Sequence, residues 1–169
     1  MTYPAMILIP VLGKIRAFNL FCNLILGNPF FRRLFSMEGN FVSTICRGFE
    51  ALLEDYLPEL SKRLSELCIQ SEIYLIEWLF TFFSRGLSIE TTLKFWDHLL
   101  FFEEVAIFRM GLAIFEQLGP IILELNYEET INFLREYCVN IKEERLLEGL
   151  GSHKLSSEKL YKALERAKV

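Results

Sequence analysis

The sequence predicts an all-α fold, an irregular bundle of many helices. Apolar residues recur at spacings of three and four along most of the 169 residues, and this is the period of an amphipathic helix. No stretch alternates apolar and polar residues for long enough to indicate a strand. No internal period of about 20 to 50 residues is found, which counts against a repeat solenoid. The apolar fraction of 52% further predicts that some helices are buried on more than one face.

Proline and glycine mark the predicted limits of the N-terminal helices. Pro4 fits a first helical turn, where a missing N–H costs nothing, and Pro10 shortens or kinks the helix it starts. The run Gly27-Asn28-Pro29 ends the second helix. Pro58 breaks or restarts a longer amphipathic helix, which buries one apolar face. These signals give helices at 5–12, 15–26, 30–35, 42–56 and 58–67.

The next predicted helix is apolar over most of its girth. It contains YLIEWLFTFF, residues 74–83, and Ser71 is expected to cap it by accepting a backbone N–H. Its narrow polar stripe consists of Tyr74, Glu77, Thr81 and Ser84. Because so apolar a helix must be surrounded, we predict that it is the central helix of the bundle.

Capping signals also organise the C-terminal part of the chain. Ser88 is predicted to cap the helix that carries Trp96, and a helix at 105–118 follows, ended or bent by Gly119-Pro120. Asn126 and Glu129 have the spacing of a capping box. The helix they open is expected to turn Tyr127, Ile131, Leu134 and Cys138 inward. The glycine-rich segment Gly149 to Ser152 is predicted to separate a last amphipathic helix at 155–167.

Composition argues against several classes of function. The net charge of −4 gives no basic surface for nucleic acid. The longest uncharged runs, 1–13 and 17–31, are shorter than the ~20 apolar residues of a spanning helix. The first cations, Lys14 and Arg16, follow the apolar stretch and do not precede it, so no signal peptide is predicted. We therefore expect a cytoplasmic chain that does not span a membrane.

The cysteines and histidines do not have the spacing of a metal site. No C-x-x-C pair occurs, and His98 and His153 are the only histidines. We expect free, buried thiols, no structural metal and no cofactor. The four cysteines are Cys22, Cys46, Cys68 and Cys138.

Two groups of residues could suggest catalysis, and each has a structural interpretation that we favour. Trp96-Asp97-His98 resembles a proton-transfer group, but neighbours on a helix point about 100° apart and cannot converge on one atom. We expect Trp96 in the core and Asp97 paired with Lys94 or Arg85. Arg109 is interpreted as a partly buried structural arginine and not as a catalytic finger. No catalytic residue is therefore predicted in this chain.

Residues 74–114 carry an ordered set of motifs that resembles the second half of the TBC domain, the helical domain that activates Rab GTPases. In that family a buried helix leads into Ser-Arg-x-Leu-Pro, an Arg-x-Trp-Asp helix and then Phe-Arg-x-Ala-Leu-x-Ile. The resemblance departs from the family at Gly86, Ser88 and Lys94, where an acid, Pro and Arg are usual. The matching residues are Ser84, Arg85, Leu87, Trp96, Asp97, Phe108, Arg109, Leu112 and Ile114.

The resemblance also implies which residues catalyse in the family. An Arg from I-x-x-D-x-x-R stabilises charge on the transferred phosphoryl group, and a Gln from Y-x-Q-G-M positions the attacking water. Neither motif occurs among the ten arginines and six tyrosines of this chain. Met1, Thr2 and Tyr3 resemble the residues that directly follow the glutamine. We expect a chain that begins just after both fingers.

Two functions follow from this resemblance. The first is the C-terminal subdomain of a Rab GTPase-activating protein involved in vesicle traffic, inactive alone, with residues 1–140 from the TBC domain and 141–169 a helical tail packed on it. The second is a non-catalytic helical module that binds a Rab or another subunit, and the coding sequence upstream would distinguish the two. Either would reach endomembranes through its partner. The apolar segment Tyr3 to Leu12, if uncovered, is expected to cause self-association through the N-terminal helices, or a rearranged or swapped terminus.

Overall fold

The computed structural model describes residues 2–136, 141–152 and 154–168, and it confirms the all-α prediction. Met1 and Cys138 lie outside these residues. No strand occurs in the described ranges. The helices are α1 Thr2–Leu12, α2 Lys14–Gly27, α3 Pro29–Phe35, α4 Gly39–Tyr56, α5 Pro58–Glu66, α6 Glu72–Thr81, α7 Ile89–Phe102, α8 Glu104–Ile122, α9 Tyr127–Arg135, α10 Glu143–Ser152 and α11 Ser157–Arg166.

Several predicted helix limits are confirmed at the atoms that cause them. The Asn28 side chain accepts the N–H of Phe30, and Pro29 occupies the first turn of α3. Asn126 and Glu129 form the predicted capping box at the start of α9. Between α1 and α2 the chain turns at Gly13, whose φ of 76° favours glycine because it has no Cβ.

Neither proline ends its helix. α1 runs through Pro10 to Leu12, the predicted last residue, and α8 runs past Pro120 to Ile122. The predicted break at the next glycine-rich segment is wrong. The segment Gly149 to Ser152 belongs to α10. A Cβ on Gly149 would stand 3.0 Å from the Cβ of Ala113, so this glycine allows α10 to approach α8 closely.

The central helix is α8, and the prediction of that role for 74–83 is wrong. α8 buries fourteen residues, whereas α6 buries four, and α8 contacts α4, α5, α7 and α10. Its contact with α4 is close, since a Cβ on Gly111 would stand 2.8 Å from the ring of Phe49. The sequence did not mark α8 as the central helix, because Arg109 and Glu116 place charges inside it.

α8 is also the only helix in the described ranges that is both long and apolar enough to cross a bilayer. Of its apolar window, 72% is buried inside the protein. This burial is the pattern of a helix that other helices surround.

The start of α6 differs from the prediction for Ser71. The Ser71 side chain caps no backbone N–H. Its hydroxyl and its N–H both donate to Oε1 of Glu50, at 2.8 and 3.0 Å. A carboxylate from α4 therefore lies at the N-terminus of α6, where the helix dipole favours negative charge.

Tyr74, predicted in a polar stripe, is buried at 4% exposure. Its ring lies 5.0 Å from that of Phe115 and 5.2 Å from that of Trp78. Burial, followed by the negative charges of Glu50 and other neighbours, raises the Tyr74 pKa well above its ordinary value. Ile73 on the same helix is apolar but 40% exposed, so α6 is not surrounded on every side.

The inward and buried positions are partly those predicted. In α9 Leu134 is buried and Ile131 half-buried, whereas Tyr127 is exposed, so the predicted inward position of Tyr127 is wrong. Of the thiols described, Cys46 is buried, Cys22 is half-buried and Cys68 is exposed; all three are free. The prediction of a buried thiol is therefore wrong for Cys68.

The N-terminal segment is covered more than expected on one side. Leu8 is buried and Ile7 and Leu12 are half-buried, because α1 packs on α6 and α7. Met6, Ile9 and Val11 remain exposed. The expected apolar patch is therefore correct for these three residues and wrong for Leu8.

The C-terminal helices pack on the body of the bundle, α10 on α8 and α7 and α11 on α4. A Cβ on Gly48 of α4 would stand 2.6 Å from the side chain of Leu164, and Arg166 pairs with Asp55 at 2.9 Å. The predicted domain limit after residue 140 adjoins 137–140, which lie outside the described residues, so this division stays a prediction.

Candidate functional site

The motif residues cluster around the turn between α6 and α7. Directly after α6, Phe82 and Phe83 adopt the left-handed backbone conformation, at φ 47° and 57°. The Phe83 N–H donates to the Trp78 carbonyl at 3.1 Å. A non-glycine residue is disfavoured at such φ values. Both phenyl rings are fully buried, and this burial offsets the conformational cost.

The Ser-Arg-x-Leu segment lines this turn with its apolar side inward. Ser84 and Leu87 are buried, at 7% and 9% exposure. Arg85 points outward and pairs with Glu77 of α6. Ser88 caps α7 as predicted, because its hydroxyl oxygen accepts the N–H of Thr91.

Trp96 lies in the core, as predicted. Its ring packs 5.4 Å from that of Phe82 and 6.4 Å from that of Phe21. Its Nε1 has no hydrogen-bond partner within the described part of the chain. Trp96 therefore joins the motif turn to α2 through aromatic packing.

The predicted pairing of Asp97 is wrong. Lys94 pairs with Glu90 at 2.7 Å, one turn earlier on the same helix, and Arg85 pairs with Glu77. Asp97 itself is exposed. Each cation therefore contacts a different acid, and sequence spacing alone gave no way to choose among the acids.

Arg109 joins the motif to the C-terminal tail. Its Nε and Nη2 both donate to the Leu155 carbonyl oxygen, at 3.0 and 2.7 Å. The guanidinium also lies 4.6 Å from the ring centre of Phe102. The neighbouring Phe108 is buried against Phe30 and Phe49. This geometry agrees with a structural arginine, as the sequence predicts.

A second link to the tail comes from Glu143, which sequence reasoning missed. Its carboxylate accepts the Ser88 N–H at 2.8 Å, the Ser88 hydroxyl at 2.6 Å and the Thr91 hydroxyl at 2.5 Å. Burial acts to raise its pKa, but the hydrogen bonds from Ser88 and Thr91, with the charge of Lys94, outweigh it and lower the pKa. α10 thus caps α7 next to the motif.

Glu104 is a third link and was missed as well. It is 5% exposed, accepts Nδ2 of Asn28 at 2.8 Å and accepts the hydroxyl of Tyr161. Burial, the hydrogen bond to Glu104 and its charge raise the pKa of Tyr161 to about 12. The carboxylate joins the start of α3, the start of α8 and α11. Its partners lie 76 and 57 residues away, so no local pattern reveals them.

The contacts around the motif are structural in kind. The ring Nδ1 of His98 lies 3.1 Å from the Lys94 carbonyl oxygen, within its own helix. No group of three His, Cys, Asp or Glu residues in the described ranges could hold a metal ion. The arrangement brings the motif helices and the tail together at one place. Of the three residues predicted next to a catalytic glutamine, Thr2 and Tyr3 are exposed at the start of α1, and Met1 lies outside the described residues.

Comparison with known proteins agrees with this architecture. The model of the Rab-GTPase-TBC domain matches residues 1–123. TBC1 domain family member 14 of Homo sapiens is 27% identical over 157 residues, which are 93% of this chain and 22% of that protein. Member 12 of Xenopus tropicalis is 28% identical over 146 residues, 86% of this chain and 21% of that protein.

A third relative lies outside the vertebrates. Drainin of Dictyostelium discoideum is 27% identical over 139 residues, which are 82% of this chain and 31% of that protein. The chain therefore spans between about a fifth and a third of the length of these curated relatives. With the family model matched over most of its length and an all-α structure built around the same motifs, this chain belongs to the Rab-GTPase-TBC domain family.

Proposed function

We propose that this chain supplies the supporting C-terminal helices of a TBC domain that acts on a Rab GTPase, and that it leaves GTP hydrolysis at the intrinsic rate by itself. The observation that carries the proposal is that the Arg109 guanidinium is already engaged within the protein. Its guanidinium is held by the Leu155 carbonyl and the Phe102 ring. A finger must instead extend into the nucleotide site of a partner.

The sequence supports the same proposal. It contains neither I-x-x-D-x-x-R nor Y-x-Q-G, the motifs that the family resemblance assigns to catalysis. Arg85, the other arginine of the motif turn, is exposed but paired with Glu77. In this proposal the chain is cytoplasmic and reaches endomembranes through the Rab.

Single-turnover GTP hydrolysis across a panel of Rab proteins tests the proposal. With this chain at saturating concentration, each Rab should keep its intrinsic rate. A TBC domain that carries both finger motifs serves as the positive control for each Rab. Because an arginine finger contributes about 10³–10⁵ in turnover, a rate gain of tenfold or more with this chain would overturn the proposal.

The second candidate function is a helical module that binds a small GTPase or another subunit without turnover. The exposed apolar side chains of α1 and α2, with Phe18 at 68% exposure and Ile15 at 78%, favour this function because so much apolar surface is typical of a contact site. Titration of the chain with a GTP-locked Rab tests it. Saturable binding without hydrolysis is the expected result, and absence of binding to every Rab would remove this candidate for GTPases.

A further inference from the structure

An anionic side chain from the tail occupies the N-terminus of α7. The Glu143 carboxylate accepts the Ser88 N–H at 2.8 Å, the Ser88 hydroxyl at 2.6 Å and the Thr91 hydroxyl at 2.5 Å. The first turn of a helix favours negative charge, because its N–H groups lack partners within the helix and its dipole is positive there. This end of α7 is therefore an anion site that the tail fills. We call these three hydrogen bonds the tail latch.

The two hydroxyl groups of the tail latch differ in accessibility. Ser88 is exposed and lies in the non-helical segment between α6 and α7. Thr91 is 3% exposed and belongs to the first turn of α7. Because enzymes that modify side chains act on accessible surface segments, such an enzyme can reach the hydroxyl of Ser88 and not that of Thr91.

The residues before Ser88 have the charge pattern of a kinase substrate. Arg85 lies three positions earlier and is exposed, and its ion pair with Glu77 is of the weak surface kind. Protein kinases select substrates by such charge patterns. Gly86 and Ser88 stand where an acid and Pro are usual in the family. Since proline has neither a hydroxyl nor an N–H, it could form neither of the bonds from residue 88 to Glu143.

We propose that Ser88 is a phosphorylation site and that its phosphate displaces Glu143 from the tail latch. In this step the Ser88 hydroxyl oxygen forms a bond to the γ-phosphorus of ATP, and the bond from that phosphorus to the bridging oxygen breaks, so ADP leaves. The hydroxyl proton passes to the catalytic base of the kinase. The kinase is one that selects a cation three residues before the serine. This inference goes beyond the proposed action on a Rab and does not depend on it.

Charge is the cause of the displacement. A phosphoserine carries about −1.5 to −2 charges at pH 7, and it would lie beside the carboxylate that now accepts the Ser88 hydroxyl. Two more acids are close in the chain, Glu90 in the first turn of α7 and Glu144 next to Glu143. Lys94 is already paired with Glu90. The phosphate can itself accept the N–H groups of α7, so α7 stays capped while α10 loses its bonds.

The release is expected to be confined to the start of α10. Farther along this helix Leu150 is buried and Gly149 packs closely on Ala113 of α8. These contacts are apolar and do not involve the α7 N-terminus. Phosphorylation should therefore free the first turn of α10 from α7 and leave the rest of α10 on α8.

Treatment of the whole chain with ATP and a purified arginine-directed protein kinase tests the site. Mass spectrometry should find phosphate on Ser88, and Arg85→Ala should slow its incorporation by roughly tenfold. In the phosphorylated chain, amide hydrogen exchange in the first turn of α10 should be roughly tenfold faster than before treatment. Absence of phosphate from Ser88, or phosphate on Ser88 with unchanged exchange in α10, would overturn the proposal.

Two serines allow a matched test of the charge. Ser88 and Ser156 each cap a helix, and the Ser88 hydroxyl also donates to a carboxylate. Ser88→Asp should accelerate exchange in the first turn of α10 by roughly tenfold, because the new carboxylate repels Glu143. Ser156→Asp is the control and should leave exchange in α11 unchanged, since Asp caps a helix as well as Ser does.

Two further variants separate repulsion from the loss of a hydroxyl. Ser88→Ala removes the hydroxyl without adding charge, so it should accelerate exchange in α10 less than Ser88→Asp does. Combining Ser88→Asp with Glu143→Lys replaces two like charges by an ion pair, and the protection of α10 should return. Equal effects of Ser88→Ala and Ser88→Asp, no effect of Ser88→Asp, or no recovery in the double variant would each contradict the displacement.

Discussion

Replacing Arg109 by Ala measures how strongly the motif holds the tail. Arg109 makes two hydrogen bonds to the Leu155 carbonyl, and a hydrogen bond to a charged group contributes about 1.5–3 kcal/mol. The two share one acceptor, so they count as little more than one bond. The contact with the Phe102 ring adds roughly 0.5–1 kcal/mol. We therefore expect Arg109→Ala to lower the free energy of unfolding by about 2–4 kcal/mol.

For a chain of this length the loss corresponds to a fall in Tm on the order of 10 °C. Urea denaturation followed by circular dichroism measures it, and hydrogen exchange should show the largest loss of protection in α11. Arg109→Lys should lie between wild type and Arg109→Ala, since an ammonium keeps the charge but not the planar fork. Arg85→Ala is the control, because its exposed pair with Glu77 contributes only about 0–1 kcal/mol.

A stability of Arg109→Ala within about 0.5 kcal/mol of wild type, the range of an ordinary surface substitution, would refute the structural role of this arginine.

Two further predictions concern glycine packing and the Glu143 cap. Gly111→Ala should lower the free energy of unfolding by about 1–3 kcal/mol, because its Cβ would stand 2.8 Å from the Phe49 ring. This overpacking exceeds the roughly 0.5–1 kcal/mol that alanine gains in helix propensity. Gly151→Ala is the control: its Cβ meets nothing within 4 Å, so the same thermal denaturation should show no loss of stability. Glu143 has a lowered folded-state pKa, so its stabilisation is complete above its unfolded pKa of about 4.3 and is lost as pH falls through the folded value. The stability difference between wild type and Glu143→Gln should therefore be present at neutral pH and vanish in acid; a difference independent of pH would contradict the assignment.

The sequence predicted correctly those helix limits that are set by residues close together in the chain. The capping box of Asn126 and Glu129 and the Ser88 cap involve residues three apart, and Pro58 begins α5. Each of these interactions forms within a single turn, so a short stretch of residues contains all the information needed. The all-α class followed from the same local periodicity.

The failures have a different physical cause. Ser71 bonds to Glu50, which is 21 residues away, so its local capping signal was overridden by a tertiary contact. Gly149 resembled a helix break because glycine is a weak helix former, but close contact with Ala113 of α8 accounts for it. The prediction of the central helix was wrong because the burial of α8 depends on contacts with α4, α5, α7 and α10, which are distant along the chain.

For the candidate site, the environment of Trp96 was predicted correctly because a large aromatic side chain on a helix is usually buried. The partial burial of Arg109 was predicted correctly because its helix is mostly apolar. The tail contacts could not be predicted. Glu143 meets Ser88 over a separation of 55 residues, and a single acid in a charged helix has no distinguishing pattern. The partners of Asp97 were misassigned for the same reason, since several acids and cations lie within one turn of each other.

The proposed function is that this chain supports catalysis on a Rab without supplying the catalytic residues. The most direct test compares single-turnover GTP hydrolysis by one Rab under three conditions: with this chain alone, with an N-terminal TBC segment that carries both finger motifs alone, and with the two fused. The claim predicts acceleration of about 10³-fold or more, the range of an arginine finger, only in the fusion. Acceleration by this chain alone, or a fusion that folds and remains at the intrinsic rate, would contradict it.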